Sequence, residues 1–188
     1  MEFAAKIGVS RTPVREAVIQ LSEESRIIEI FPQRGMRIAP IDVELVEEAR
    51  SLRVLLEKQI AGMCCEMATE EDIKWLQENV GLQEFYMENS RPEMVMQLDD
   101  EMHHKLFMIC HRELTYGMCQ KLAIHYDRIR SLSVNTVKDN TIIEDHRKII
   151  QFIAEHKKEN AMAQMEKHLS RWQLNEGKFR QEFPDYFK

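Results

Sequence analysis

Glycine and proline are scarce, six and five in 188 residues. With so few chain breakers, helices should dominate the fold. No stretch approaches the eighteen or more apolar residues of a membrane span, and the N-terminus lacks the basic and apolar regions of a secretory signal. Together these absences point to a soluble, cytoplasmic protein with no membrane partner. The four cysteines, Cys64, Cys65, Cys110 and Cys119, form no C-x-x-C pair. On helices in a reducing compartment they read as small buried hydrophobes rather than disulfides or zinc thiolates. A second Glu-x-x-His motif is also lacking, since only Glu101-x-x-His104 occurs, and this argues against a ferritin-like di-metal enzyme, which needs the motif on two helices.

What is present divides unevenly. Hydrophobic residues make up 44% of the chain, enough for a real core in one or two small domains. Residues 1–40 carry six basic and five acidic side chains, whereas the remainder carries 20 basic and 27 acidic ones. Contact with nucleic acid therefore belongs to the first forty residues, while an acidic remainder serves solubility. In "GVSRTPVREAV", Gly8 suits the left-handed residue that ends a helix over Phe3 to Ile7. Ser10 or Thr12 can cap the next helix, with Pro13 in its first turn. Val14, Ala17, Val18 and Leu21 form one apolar face, which leaves Arg11, Thr12, Arg15 and Gln20 pointing elsewhere. This pattern fits a helix-turn-helix, whose second helix sets its first residues against base edges. A surface hairpin with solvated arginines has the same spacing. The following "RIIEIFPQRGMRIAP" alternates Ile28 and Ile30 with Met36 and Ile38 around a turn, as a two-stranded wing would. Arg34 and Gly35 at its tip could enter a minor groove.

From Pro40 onward the sequence predicts about six helices with short connections, an antiparallel bundle. Leu45, Ala49, Leu52, Leu56, Ile60, Met63 and Met67 define the first, over Asp42 to Ala68. "TEED" is a capping box that opens a second helix to Asn89, and Pro92 opens a third. Further helices are expected over Leu114–Thr136, Thr141–His156 and Asn160–Phe183. The twelve methionines read as core filler. One constellation on these helices carries chemistry. Asp100 and His104 share a helical face at a spacing able to grip one ion, while His146 and His168 each flank the apolar side of their own helix. Buried, hydrogen-bonded imidazoles would look the same.

The run "AAKIGVSRTPVREAVIQLSEESRIIEIFPQRGMRIAPID" resembles the winged helix of GntR-family transcription regulators, through its "VSRTPVREA" core and "P-x-RG" wing. The resemblance implies DNA contacts at Arg11, Thr12, Arg15 and Gly35. Two features depart from it: Ser25-Arg26 stands where the family usually has Gly-Leu, and only seven residues precede Gly8. The expected fold is thus mainly α, with a winged helix-turn-helix lacking its first helix over residues 1–40 and an all-α bundle over 41–188. The bundle resembles the FCD domain of the FadR branch, through "D-x-x-x-H", "E-D-H-R-x-I-I" and "M-x-x-H-L". That likeness implies metal ligands at Asp100, His104, His146 and His168, and Arg53 of "R-x-x-x-E" facing a pocket where it could hold an effector carboxylate. His103, where the family commonly has an aromatic, lies about 100° around the helix from His104 and is left out of the site. Three imidazoles and a carboxylate favour zinc first, with nickel or manganese as alternatives. The resulting expectation is a homodimeric regulator, not an enzyme, that reads a palindromic operator and responds to a small organic acid. Two alternatives stay open: a dimeric interaction module that no longer binds DNA, and a metal-dependent hydrolase with Glu144 or Asp145 as base.

Overall fold

The computed structural model describes residues 2–136 and 141–188. The chain opens with a short helix, α1 (Glu2–Lys6), and turns at Gly8, whose φ of 70° is the left-handed value that its lack of a Cβ permits. Ser10, in extended conformation, then occupies the N-cap of α2 (Arg11–Ser25), with Pro13 in the first turn. The helix ends at Arg26, which takes the left-handed conformation without the aid of glycine. Strands β1 (Ile28–Phe31) and β2 (Gly35–Ile38) form an antiparallel hairpin. Its register pairs Ile28 with Ile38 and Ile30 with Met36, so the alternating apolar residues share one face.

Helix α2 packs on β1 and touches the bundle, but none of its residues is buried. Val14 and Val18 are half-buried, whereas Ala17 and Leu21 of the same apolar face are exposed.

The bundle comprises α3 (Val43–Met67), α4 (Glu70–Glu88), α5 (Pro92–Ile109), α6 (Glu113–Thr136), α7 (Thr141–Ala154), α8 (Lys158–Leu169) and α9 (Trp172–Glu182). The capping box forms as the sequence predicts: Thr69 Oγ1 accepts from the Asp72 backbone N–H, and Asp72 accepts from that of Thr69. Helix α3 runs through the centre, packed on α8 and α6, with α4 against α5 and α7 against α8 and α4. One apolar cluster, including Ile60, Leu76, Met102, Leu106, Ile149 and Met165, fills the space among α3, α4, α5, α7 and α8. A second, built from Ile41, Val46, Tyr126, Ile129, Phe179 and Phe187, joins α3 and α6 to the end of the chain.

The stretch expected as one helix over Asn160–Phe183 is two. Around Ser170, i→i+3 bonds replace the α-helical ladder. There Ser170 Oγ accepts from Arg50 Nη1 at 3.0 Å, and Arg171 pairs with Asp145. These tertiary bonds turn the chain without proline or glycine.

Residues 39–42 connect the winged unit to the bundle. Arg128 on α6 donates from Nη2 to the Ala39 carbonyl at 2.7 Å, and His125, one turn earlier, lies buried beneath the wing beside a groove of about 390 Å³. Ile41 pairs with Phe187: its N–H donates to the Tyr186 carbonyl at 2.6 Å, and its carbonyl accepts from the Lys188 N–H at 3.1 Å.

Candidate metal centre

Four buried side chains meet where α3, α5, α7 and α8 converge. Asp99 and His103 on α5, His146 on α7 and His168 on α8 each offer one ligand atom, and these atoms all lie within 4.8 Å of one another. Nε2 of His103 and Nε2 of His146 each stand 3.3 Å from Nε2 of His168. The Asp99 carboxylate is 3.3 Å from His146 Nε2 and 3.7 Å from His103 Nε2.

Partners behind the rings set their orientation. His103 Nδ1 bonds to Glu57 Oε2, and Glu57 Oε1 accepts from Arg53 Nε at 2.6 Å. His146 Nδ1 donates to Gln83 Oε1 at 2.8 Å, and Gln83 Nε2 donates to Asn79 Oδ1 at 2.8 Å. With their protons on Nδ1, both imidazoles direct an Nε2 lone pair inward. Nδ1 of His168 is buried, with no partner among the described residues.

Burial alone raises the Glu57 carboxyl, but Arg53 and His103 outweigh it and hold the pKa at about 2. Asp99 is likewise raised by burial, and more strongly lowered by Arg130 and the three histidines around it. Burial pushes His146 down to about 4, and burial with His146 and His103 alongside pushes His168 well below the ordinary value. At neutral pH Asp99 is therefore a carboxylate and His146 and His168 are neutral imidazoles, forms that ligate metals.

Convergent lone pairs repel unless a proton or a cation lies between them. Ligands held tetrahedrally at 2.0–2.1 Å stand roughly 3.3–3.4 Å apart, and three of the separations here are 3.3 Å. The residues thus fit a divalent ion of borderline softness.

Beside the cluster lies a cavity of about 40 Å³, bordered by Arg53, Asp99, Tyr126, Arg130, His168 and Arg171. It has room for about one or two waters. Arg53 stacks its guanidinium 5.1 Å from the Tyr126 ring centroid. Arg130 bonds to Asp99, to Asp100 at 2.8 Å and to Asp127 at 2.7 Å.

The expected site residues separate into two groups. His146 and His168 come together, and Arg53 borders the adjoining cavity. Asp100 and His104 do not join them: Asp100 pairs with Arg130 at the surface, and His104 stacks on Tyr116 with ring centroids 4.4 Å apart. The residues that do join are their neighbours Asp99 and His103, so the exclusion of His103 is corrected.

The physical reason lies in the helix. "DDEMHH" carries Asp-x-x-x-His in two registers, and the buried stripe of α5, Val95, Leu98, Met102 and Leu106, has Asp99 and His103 within it. The wheel position of Val95, Leu98 and Met102 was the available signal. Gln83 and Asn79, polar residues on the buried face of α4, had no motif to mark them. Glu57 was legible only as part of "R-x-x-x-E". Of the candidate bases, Glu144 is exposed, while Asp145 accepts from Gln164 Nε2 at 2.6 Å and pairs with Arg171.

At the other end of the molecule, Arg11, Thr12 and Arg15 lie exposed on the first turns of α2. Arg34 is exposed at the hairpin tip, and Gly35, with φ of 111°, opens β2. Among the described residues no helix is long and apolar enough to cross a membrane.

A winged unit followed by an all-helical bundle is the build of a transcription regulator. Residues 48–171 match the family profile of the FCD domain, and the chain belongs to the FCD-domain regulators of the GntR family. It is 28% identical over 187 residues to the HTH-type transcriptional repressor RspR of Escherichia coli (strain K12), a match covering 99% of this chain and 82% of that protein. It is 26% identical over 172 residues to the Nta operon transcriptional regulator of Aminobacter aminovorans, covering 91% and 80%. Among solved structures, a GntR protein of Streptococcus agalactiae matches with 26% identity and a TM-score of 0.53, covering 89% of this chain and 83% of that one. McbR/YncC of E. coli shares the fold with a TM-score of 0.77 at 17% identity, covering 97% and 85%. The chain is accordingly a DNA-binding transcription regulator rather than an enzyme.

Proposed function

We propose that this regulator is a cytoplasmic homodimer that reads a palindromic operator and adjusts its grip when a small organic acid reaches a metal-containing sensor. Asp99, His103, His146 and His168 would hold the ion, with zinc the first choice and nickel or manganese next. The observation that carries this reading is the inward convergence of three Nε2 atoms beside a carboxylate, two of them aligned by acceptors at Nδ1. When bound, such an ion supplies a positive centre able to accept a carboxylate oxygen. Arg53 borders the same cavity, and its guanidinium suits the other end of an anionic effector. At about 40 Å³ the cavity must widen to admit one, so binding and a change of shape are linked.

Helix α6 is suited to carry that change. Arg130 grips Asp99 at the cluster, while Arg128, two residues earlier, grips the Ala39 carbonyl below the wing. DNA contact is assigned to Arg11, Thr12 and Arg15 at the start of α2, with Arg34 and Gly35 of the wing in the minor groove. Dimerisation has a candidate face in Leu114, Met118 and Leu122, an i, i+4, i+8 stripe on α6 whose first two members are 88% and 72% exposed.

The test is elemental analysis of protein purified without added metal, followed by calorimetric titration with a panel of small organic acids. Near-stoichiometric metal is expected, with binding of at least one acid that Arg53→Ala weakens at least tenfold. Metal-free protein that takes up no zinc refutes the sensor reading, and full affinity in the variant removes Arg53 from the site.

A further inference from the structure

Away from the cluster, two cysteines meet across a helix contact. All four thiols of the chain are free and buried. Sγ of Cys64, on the last turn of α3, lies 3.5 Å from Sγ of Cys110, the C-cap of α5. Each also reaches back over the other helix: Cys64 Sγ donates to the Leu106 carbonyl at 3.4 Å, and Cys110 Sγ to the Ile60 carbonyl at 3.6 Å. Cys64 and Cys110 are 46 residues apart, as are Glu57 and His103, which bond to each other earlier on the same two helices. A constant offset means that α3 and α5 run parallel, and the thiols meet about two turns beyond Glu57 and His103. Cys65 is placed differently, with its sulfur on the carbonyls of Ala61 and Phe152.

The pair needs little movement to join. A disulfide bond is about 2.05 Å long, so each sulfur has less than about 1 Å to travel. Joining them strands no backbone group, because Ile60 lies within the α3 ladder and the Leu106 carbonyl also accepts from the Cys110 N–H. Access lies at the end of α5. There Cys110 is followed by exposed His111, held at a φ of 53° where a side chain with a Cβ is strained, and by exposed Arg112. Opening this one turn uncovers Cys110 while Cys64 stays within α3. The Cys64 S–H and the Arg112 charge, against burial, draw the Cys110 thiol below its ordinary value, whereas the same sulfur contact and burial push Cys64 up. Cys110 is thus the nucleophile and Cys64 the resolving thiol.

We infer that Cys64 and Cys110 form a redox modification site, in which a hydroperoxide converts the two thiols into a disulfide that fixes α3 and α5 in register. The Cys110 sulfur attacks the peroxide. An S–O bond forms as the O–O bond breaks, the sulfur gives up two electrons, and the departing oxygen takes the Cys110 proton, leaving a sulfenic acid. The Cys64 sulfur then attacks that of Cys110: the S–S bond forms, the S–O bond breaks, and hydroxide leaves with the Cys64 proton as water. One hydroperoxide is reduced to an alcohol and a water, or to two waters when it is hydrogen peroxide. In a reducing compartment the thiols re-form, so the bond reports an oxidant and is no permanent link. Neither cysteine belongs to the His/Asp cluster, and the inference does not depend on the metal-sensor reading.

The test uses the full, folded chain. Reduced protein is treated with hydrogen peroxide in the presence of chelator, then alkylated in denaturant, digested and mapped by mass spectrometry. The expected product is a peptide pair joined through Cys64 and Cys110, with Cys65 and Cys119 alkylated and the bond reversed by dithiothreitol. Closing a loop of this length should raise the urea midpoint by about 1–2 M. Amide exchange over residues 106–112 should slow by about tenfold or more. Cys65→Ala should behave as wild type. Cys64→Ala should leave a sulfenic acid on Cys110 that dimedone traps, while Cys110→Ala should leave none on Cys64. Far-UV circular dichroism establishes that each variant is folded, and the wild-type map decides the pairing where one is not.

Thiols that survive peroxide at both positions, a different pairing, or a bond that forms only in urea refutes the inference. A native bond that leaves the urea midpoint and the exchange of residues 106–112 unchanged refutes the clamp between α3 and α5.

Discussion

Substituting His103 and His104 in turn discriminates between the two possible registers of the site. His103 is 1% exposed, bonded to Glu57 on one side and facing the cluster on the other. His103→Ala deletes a hydrogen bond to a charged group, about 1.5–3 kcal/mol, and opens a small cavity lined by Glu57 and His168. Arg53 remains on Glu57 and limits the loss. The expected cost in metal-free protein is therefore about 3 kcal/mol.

His104, partly exposed and stacked on Tyr116, should cost under about 1 kcal/mol when replaced by alanine. Zinc widens the gap. A ligand present at 1,000 times its dissociation constant adds about 4 kcal/mol to the folded state, and that increment should survive His104→Ala and vanish in His103→Ala. Urea titrations in excess chelator and in excess zinc measure all four quantities. A zinc increment that survives His103→Ala and is lost in His104→Ala would reverse the register and refute the reasoning.

Three further expectations follow from other parts of the molecule. Asp72 bonds to Thr69 and pairs with Lys105 at 2.7 Å; against the effect of burial, these partners hold its pKa at about 2, below the ordinary 3.8. Its stabilisation is therefore complete above pH 4 and disappears as pH falls through about 2, because the unfolded chain takes up the proton first. Asp72→Ala should cost about 1–2 kcal/mol at pH 7, and a difference in urea midpoints that does not begin to narrow between pH 4 and pH 3 contradicts this. Arg128→Ala removes a charged donor from the Ala39 carbonyl, so amide exchange over residues 39–42 should quicken by about 10- to 100-fold; unchanged exchange means that the contact does not hold the connection closed. Arg15→Ala should weaken specific operator binding by about 1–3 kcal/mol if the side chain reads a base, whereas an equal loss on unrelated DNA would make it a phosphate contact.

The helices were legible because their causes are local. Thr69 and Asp72 cap α4, Pro92 starts α5, and the apolar residues of α3 recur at three and four. The break between α8 and α9 was not legible, since Ser170 and Arg171 both keep right-handed helical dihedrals. The turn there is maintained by Arg50 and Asp145, 120 and 26 residues away in sequence. The site was half legible. His146 and His168 stand in motifs with a single register, while the doubled Asp and doubled His of α5 offered two. Choosing between those required weighing the buried stripe above the motif. Gln83 and Asn79 show a further limit: a polar residue that serves only to orient another ring leaves no spacing of its own.

The short pairing of Ile41 with Phe187 bears on the order in which the protein comes into being. Ile41 opens the bundle, and its partner lies at the far end of the chain, so the contact closes a loop of nearly the whole bundle. During synthesis the winged unit emerges well before that partner does. The strut beneath it, which shares the apolar cluster of Val46, Ile129 and Phe179, closes only once Phe187 is available. A nascent chain thus carries its winged unit before that unit has a fixed place on the bundle.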